Sequence, residues 1–130
     1  MKIIIDTEIP FIKGVFEPYA QVEYLTGDEI TPESVRDADA LVVKGHTKCN
    51  ASLLEGSKVK MIATTLVSMD HIDTQFCNNN GIYFQNAKGT TAGAVSNYVF
   101  SAIYGCAARR SIQLSGSTIG ILGYGSAGKR

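Results

Sequence analysis

Short apolar runs alternate with segments of helical spacing along this chain, and that alternation narrows the possible folds more than any single motif does. Lys2–Asp6, KIIID, reads as a buried strand, and the stretch after it places Phe11, Val15, Phe16 and Tyr19 at helical spacing. Further strands are expected over residues 21–26, 40–44, 59–65 and 82–86, and STIGILG opens a sixth. Between them, Thr31 stands as an N-cap before Pro32, and Asn50 caps a short helix stopped by Gly56. Residues 70–80 read as a helix closed by Gly81, and residues 91–110 as a long uncharged one. Arg109 and Arg110 stand at the negative C-terminal end of that last helix. Strand–helix units in this order imply an α/β fold with a parallel sheet covered on both faces. Such sheets bind ligands outside the carboxyl ends of their strands, where the winding reverses. The loops after Asp6, Lys44, Thr65 and Asn86 are therefore where function is sought.

Composition excludes several classes. Twelve basic and twelve acidic side chains cancel, which removes the phosphate-facing excess that a general nucleic-acid binder needs. Apolar residues at 45% against 18% charged describe a globular chain, with some apolar surface expecting a partner. Cys49, Cys77 and Cys106 form no C-x-x-C pair, so neither a disulfide framework nor a zinc site follows, and buried reduced thiols in the cytoplasm are expected. Residues 89–108 carry no charge and hold a G-x-x-x-G at Gly89 and Gly93. Thr90, Thr91, Ser96, Asn97 and Ser101 interrupt them, which favours a buried helix over a membrane span.

Three motifs could carry chemistry. Gly123, Gly125, Ser126, Ala127 and Gly128 make a G-x-G-x-x-G turn after strand-like sequence. In a dinucleotide fold these glycines permit a tight turn, close approach of a pyrophosphate and close helix packing. The helix and acid that complete such a site lie past residue 130, so a chance glycine turn stays open. In VVKGHTK, Lys44, His46 and Lys48 stand at alternate positions past a strand end, and in an extended loop they face one way around Gly45. That suits an anion, or equally a solvated basic loop. Asp70-His71-Ile72-Asp73 suits a helix start with Asp70 as cap and Ile72 in the core, or an acid/base or metal site. A phosphoacceptor reading fails, since Lys44 stands where an aspartate would follow the third strand.

Taken together, KIIIDTEIPF, DADALVVK, TKCNASLLEG, MDHID, GIYFQNAKG, AGAVSNYVFSAIYGCAAR and TIGILGYG resemble the D-isomer-specific 2-hydroxyacid dehydrogenases over essentially the whole chain. Within the family the chain looks most like the branch that oxidises 4-phosphoerythronate in pyridoxine (vitamin B6) biosynthesis. The resemblance implies a flavodoxin-like substrate domain over 1–88, a connecting helix over 89–112 and the start of an NAD-binding Rossmann domain over 113–130. Its implied cofactor is NAD and its implied partner a small phosphorylated 2-hydroxy acid, with neither nucleic acid nor membrane. By the same resemblance Lys44, Gly45, His46, Leu66, Val67 and Ser68 would bind substrate, and Gly123, Gly125, Ser126, Ala127 and Gly128 the cofactor.

The family's catalytic Arg, Glu and His match no position here, so the resemblance implies that this chain alone is an inactive fragment. Relatives usually carry Arg and a hydroxyl residue at 44 and 45, Thr-Ala-Thr-x-Gly at 64–68 and Gly-Cys-Asn at 89–91. Here stand Lys44 and Gly45, Thr64-Thr65-Leu66-Val67-Ser68, and Gly89-Thr90-Thr91. The exposed length of the helix over 91–110 is expected to drive self-association. The alternative reading is a non-enzymatic flavodoxin-like module that binds a small anion.

Overall fold

The computed structural model describes all 130 residues, and the chain divides into two compact units, Met1–Ala87 and Lys88–Arg130. The first holds β1 (Lys2–Asp6), β2 (Gln21–Leu25), α1 (Pro32–Val35), β3 (Ala40–Val43), α2 (Ala51–Leu54), β4 (Met61–Thr64), α3 (Thr74–Asn79) and β5 (Tyr83–Gln85). Its five strands form one parallel sheet in the order β2-β1-β3-β4-β5. This is the flavodoxin-like order, and its winding reverses between β1 and β3.

Strand alternation sorts the core into two layers. Ile4, Leu41, Val43 and Ile62 point to one face and pack with Val35, Leu53, Leu54, Val59, Cys77 and Ile82 from the helices and loops. Ile3, Ile5, Ala40 and Val42 point to the other, where Ile9, Ile12 and Phe16 meet them. Only the first face carries helices. Met61 and Tyr83 stay exposed, so within this unit the expected covering of both faces is incomplete.

The reason lies in residues 9–20, which the spacing assigned to a helix and which fold instead as a series of turns. Pro18 cannot donate a backbone hydrogen bond, Gly14 sits at φ +86° and Phe11 at φ +59°. Phe16 still reaches the sheet, but Phe11 and Tyr19 point into solvent.

The expected caps mostly form. Thr31 accepts from the Ser34 amide, Pro32 opens α1, and the Asn50 side chain accepts from Leu53 N. Gly56 at φ +75° and Gly81 at φ +65° end the helices before them. One cap moves: Asp73, not Asp70, accepts from the Phe76 amide at 2.9 Å and starts α3.

The second unit contains α4 (Ala92–Arg109), with Arg109 in its last turn as expected. No helix is long and apolar enough to cross a membrane. Val95, Tyr98, Val99, Phe100 and Tyr104 of α4 are exposed, and so is Cys106, which corrects its expected burial; Cys49 and Cys77 are buried. The expected sixth strand does not form. Residues 118–122 make no ladder, because an extended run needs a neighbour for its amides and this unit contains no strand.

Candidate functional site

The switch point between β1 and β3 gathers charge. Asp6, at the end of β1, is fully buried and its Oδ1 accepts from the Glu8 amide at 2.8 Å. That turn projects Glu8 across the sheet end toward the loop after β3. The Lys44 ammonium lies 3.3 Å from Glu8 Oε2 and donates to the Glu8 carbonyl at 3.4 Å. His46 Nε2 lies 3.6 Å from the same Oε2. Lys44 and His46 therefore meet on one group, a carboxylate that sequence reasoning did not single out. The available signal was position: Glu8 stands two residues past a strand that borders the reversal.

Lys48 does not join them. Residues 45–47 turn rather than extend, and Lys48 lines a separate cleft of about 460 Å³ between the loops after β3 and β4. Gly45, Asn50, Leu66, Ser68 and His71 share that cleft with it. The three basic residues thus divide, Lys44 and His46 on Glu8 and Lys48 in the cleft. Leu66 closes on Gly45 so tightly that a Cβ on Gly45 would sit 2.7 Å from its Cδ1.

The loop after β4 is pinned. Thr65 N donates to Val43 O at 3.3 Å, Leu66 N to Thr64 Oγ1 at 3.3 Å, and Asn86 Nδ2 to Val67 O at 2.7 Å. Two of its amides are thereby committed, which leaves those of Val67 and Ser68 for a ligand. His71 Nε2 lies 3.0 Å from Thr64 Oγ1. Burial pushes its pKa down, opposed by the charge of Asp70, which favours the uncharged ring.

A one-residue parallel bridge ties the two loops together beneath the cleft. Cys49 N donates to His71 O at 2.8 Å and Asp73 N to Cys49 O at 2.9 Å. Burial, with the neighbouring Cys77, pushes the Cys49 thiol up to about 12, so it is no nucleophile. Asp70, His71 and Asp73 form no metal-binding group. This end of the sheet offers basic side chains, amides and hydroxyls, together with the carboxylates of Glu8, Asp70 and Asp73.

The glycine turn in the second unit folds upon itself. Gly123 sits at φ +94°, and Gly128 lies so close to the Gly123 carbonyl that no side chain fits there. Lys129 N donates to Gly125 O and Arg130 N to Ala127 O, which makes a single turn. The adjoining groove is lined by Val95, Val99, Phe100, Ile121 and Leu122 and is apolar. No strand precedes the turn within this unit, so these residues lack the strand–turn setting of a dinucleotide site.

The sequence matches the D-isomer specific 2-hydroxyacid dehydrogenase catalytic domain over residues 3–120. It is 44% identical over its full length to an erythronate-4-phosphate dehydrogenase of Bacteroides fragilis and spans 38% of that protein. It is 36% identical to the enzyme of the same name from Porphyromonas gingivalis, over 98% of this chain and 35% of that one. Among solved structures, the NAD+-bound 3-phosphoglycerate dehydrogenase of Entamoeba histolytica aligns over 99% of this chain and 48% of its own, with a TM-score of 0.66 and 25% identity. A full-length sequence match and the parallel sheet of order β2-β1-β3-β4-β5 agree: this chain belongs to the D-isomer-specific 2-hydroxyacid dehydrogenase family.

Proposed function

We propose that this chain forms the substrate-binding side of an NAD-dependent 2-hydroxyacid dehydrogenase that oxidises 4-phosphoerythronate in pyridoxine biosynthesis, in the cytoplasm. The observation that carries the reading is the pairing of Lys44 and His46 on one carboxylate at the switch point, beside a loop whose Val67 and Ser68 amides are uncommitted. Lys44 supplies a point charge where a relative's Arg would supply a fork, so it suits a phosphate or carboxylate with less geometric demand. His46 adds charge only when protonated. Residues 89–112 act as the connecting helix and residues 113–130 as the start of the NAD-binding domain.

The test is a titration of inorganic phosphate and 4-phosphoerythronate into isotope-labelled protein. Amide signals over residues 44–48 and 66–68 should shift, with affinity on the order of millimolar in so open a site. Lys44→Ala should remove those shifts. Shifts elsewhere, or none at millimolar ligand, would overturn the reading.

The 130-residue chain by itself should form no NADH and should bind NAD poorly, since residues 123–128 lack the strand–turn setting of a dinucleotide site. Micromolar NAD binding by calorimetry would contradict this. That same turn favours the second reading, an anion-binding module without catalysis; reading frame that continues past Arg130 in the parent gene would decide against it. The exposed apolar side chains of α4 should make the chain self-associate, and a strictly monomeric species in sedimentation at high concentration would refute that.

A further inference from the structure

We propose that Glu8 is a built-in competitor at this anion site and lowers its affinity for every incoming anion. The inference rests on the anion-binding reading of Lys44 and His46. One oxygen of Glu8 lies 3.3 Å from the Lys44 ammonium and 3.6 Å from His46 Nε2, so a carboxylate occupies the position between the two side chains that a ligand would take. The backbone holds it there as well: the Glu8 amide is fixed on buried Asp6, and its carbonyl accepts from Lys44. Yet the Glu8 side chain is 54% exposed, so it can swing into water without being left buried and unpaired.

An incoming anion must replace that contact. A monoanionic carboxylate exchanges one single charge for another, while a phosphate dianion brings twice the charge to Lys44, and either must displace Glu8. Glu8 therefore weakens both ligands by the same factor, and the dianion binds more tightly only through its larger charge on Lys44. The effect is electrostatic, so it weakens as salt rises.

The experiment measures phosphate and acetate binding to the full 130-residue chain at low ionic strength, for the unmodified protein, Glu8→Gln and Glu55→Gln. The last makes the same charge change at the end of α2. Glu8→Gln should tighten phosphate and acetate alike, each by up to about 5-fold, as expected when an exposed ion pair no longer has to be broken by the ligand. Glu55→Gln should change neither. If Glu8→Gln does not fold, Glu8→Asp, which draws the carboxylate back from Lys44, should give a smaller gain. Equal phosphate binding in all variants overturns the role of Glu8 and leaves the anion site standing. An equal gain in Glu55→Gln also overturns it, as a mere net-charge effect. Phosphate binding to none of them removes the anion site and the proposal together.

Discussion

Replacing Gly45 by alanine probes the contact between the loops after β3 and β4. A Cβ at Gly45 would lie 2.7 Å from Leu66 Cδ1, well inside the roughly 3.4 Å or more of ordinary carbon contacts. The Leu66 side chain is 38% exposed, so it can yield by leaving its rotamer, at about 0.5–1.5 kcal/mol. Against that cost, alanine restricts the unfolded chain and contributes about 0.4–1 kcal/mol of stability, since Gly45 has no positive φ. The two effects nearly cancel, so the single variant should change stability by less than about 1 kcal/mol.

The informative quantity is the coupling. In a Leu66→Ala background the clash is gone and only the stabilising part remains. A double-mutant cycle by urea unfolding should therefore give an interaction energy of about 0.5–1.5 kcal/mol between positions 45 and 66. Additivity within about 0.3 kcal/mol would mean that Leu66 does not rest on Gly45 in solution.

The other outcomes follow from contacts already described. Asp73→Ala should cost about 1 kcal/mol by leaving the Phe76 amide without its cap, while Asp70→Ala should stay within about 0.5 kcal/mol, both by urea unfolding. Because His71 has its folded pKa pushed down, its contribution is fully present above the unfolded value near 6.5 and is lost as pH falls through the folded one; His71→Gln should flatten that part of the stability–pH curve. A thiol reagent should label Cys106 promptly, and Cys49 and Cys77 only after denaturation, counted by mass spectrometry.

The parallel sheet was legible because β1, β3 and β4 are short apolar runs bounded by turn residues, while its flavodoxin-like order was implied only by the family resemblance. Thr31, Asn50, Gly56 and Gly81 spoke through local chemistry and act as read. Residues 9–20 misled, because Phe11, Val15, Phe16 and Tyr19 carry the helical period while Pro10, Gly14 and Pro18 forbid the helix; the breakers prevail when the segment is short. Asp70 was read as the cap, but Ile72 is held in the bridge to Cys49, so the helix starts later, at Asp73. Glu8 was invisible as a site residue because a charge two residues beyond a strand has no meaning until the sheet brings β3 beside β1.

The Cys49–Ile72 bridge also governs how this end of the sheet moves. Its two hydrogen bonds join the loop after β3 to the start of α3, and Cys49 packs in the same buried cluster as Ile4 and Ile62. Opening either loop alone would break the bridge and expose that cluster, so the amides of Cys49 and Asp73 should exchange with solvent as slowly as those of the central strands. The cleft walls then behave as one cooperative unit with the sheet. A ligand that grips residues 44–48 would register at residues 66–73 by raising the protection of both together.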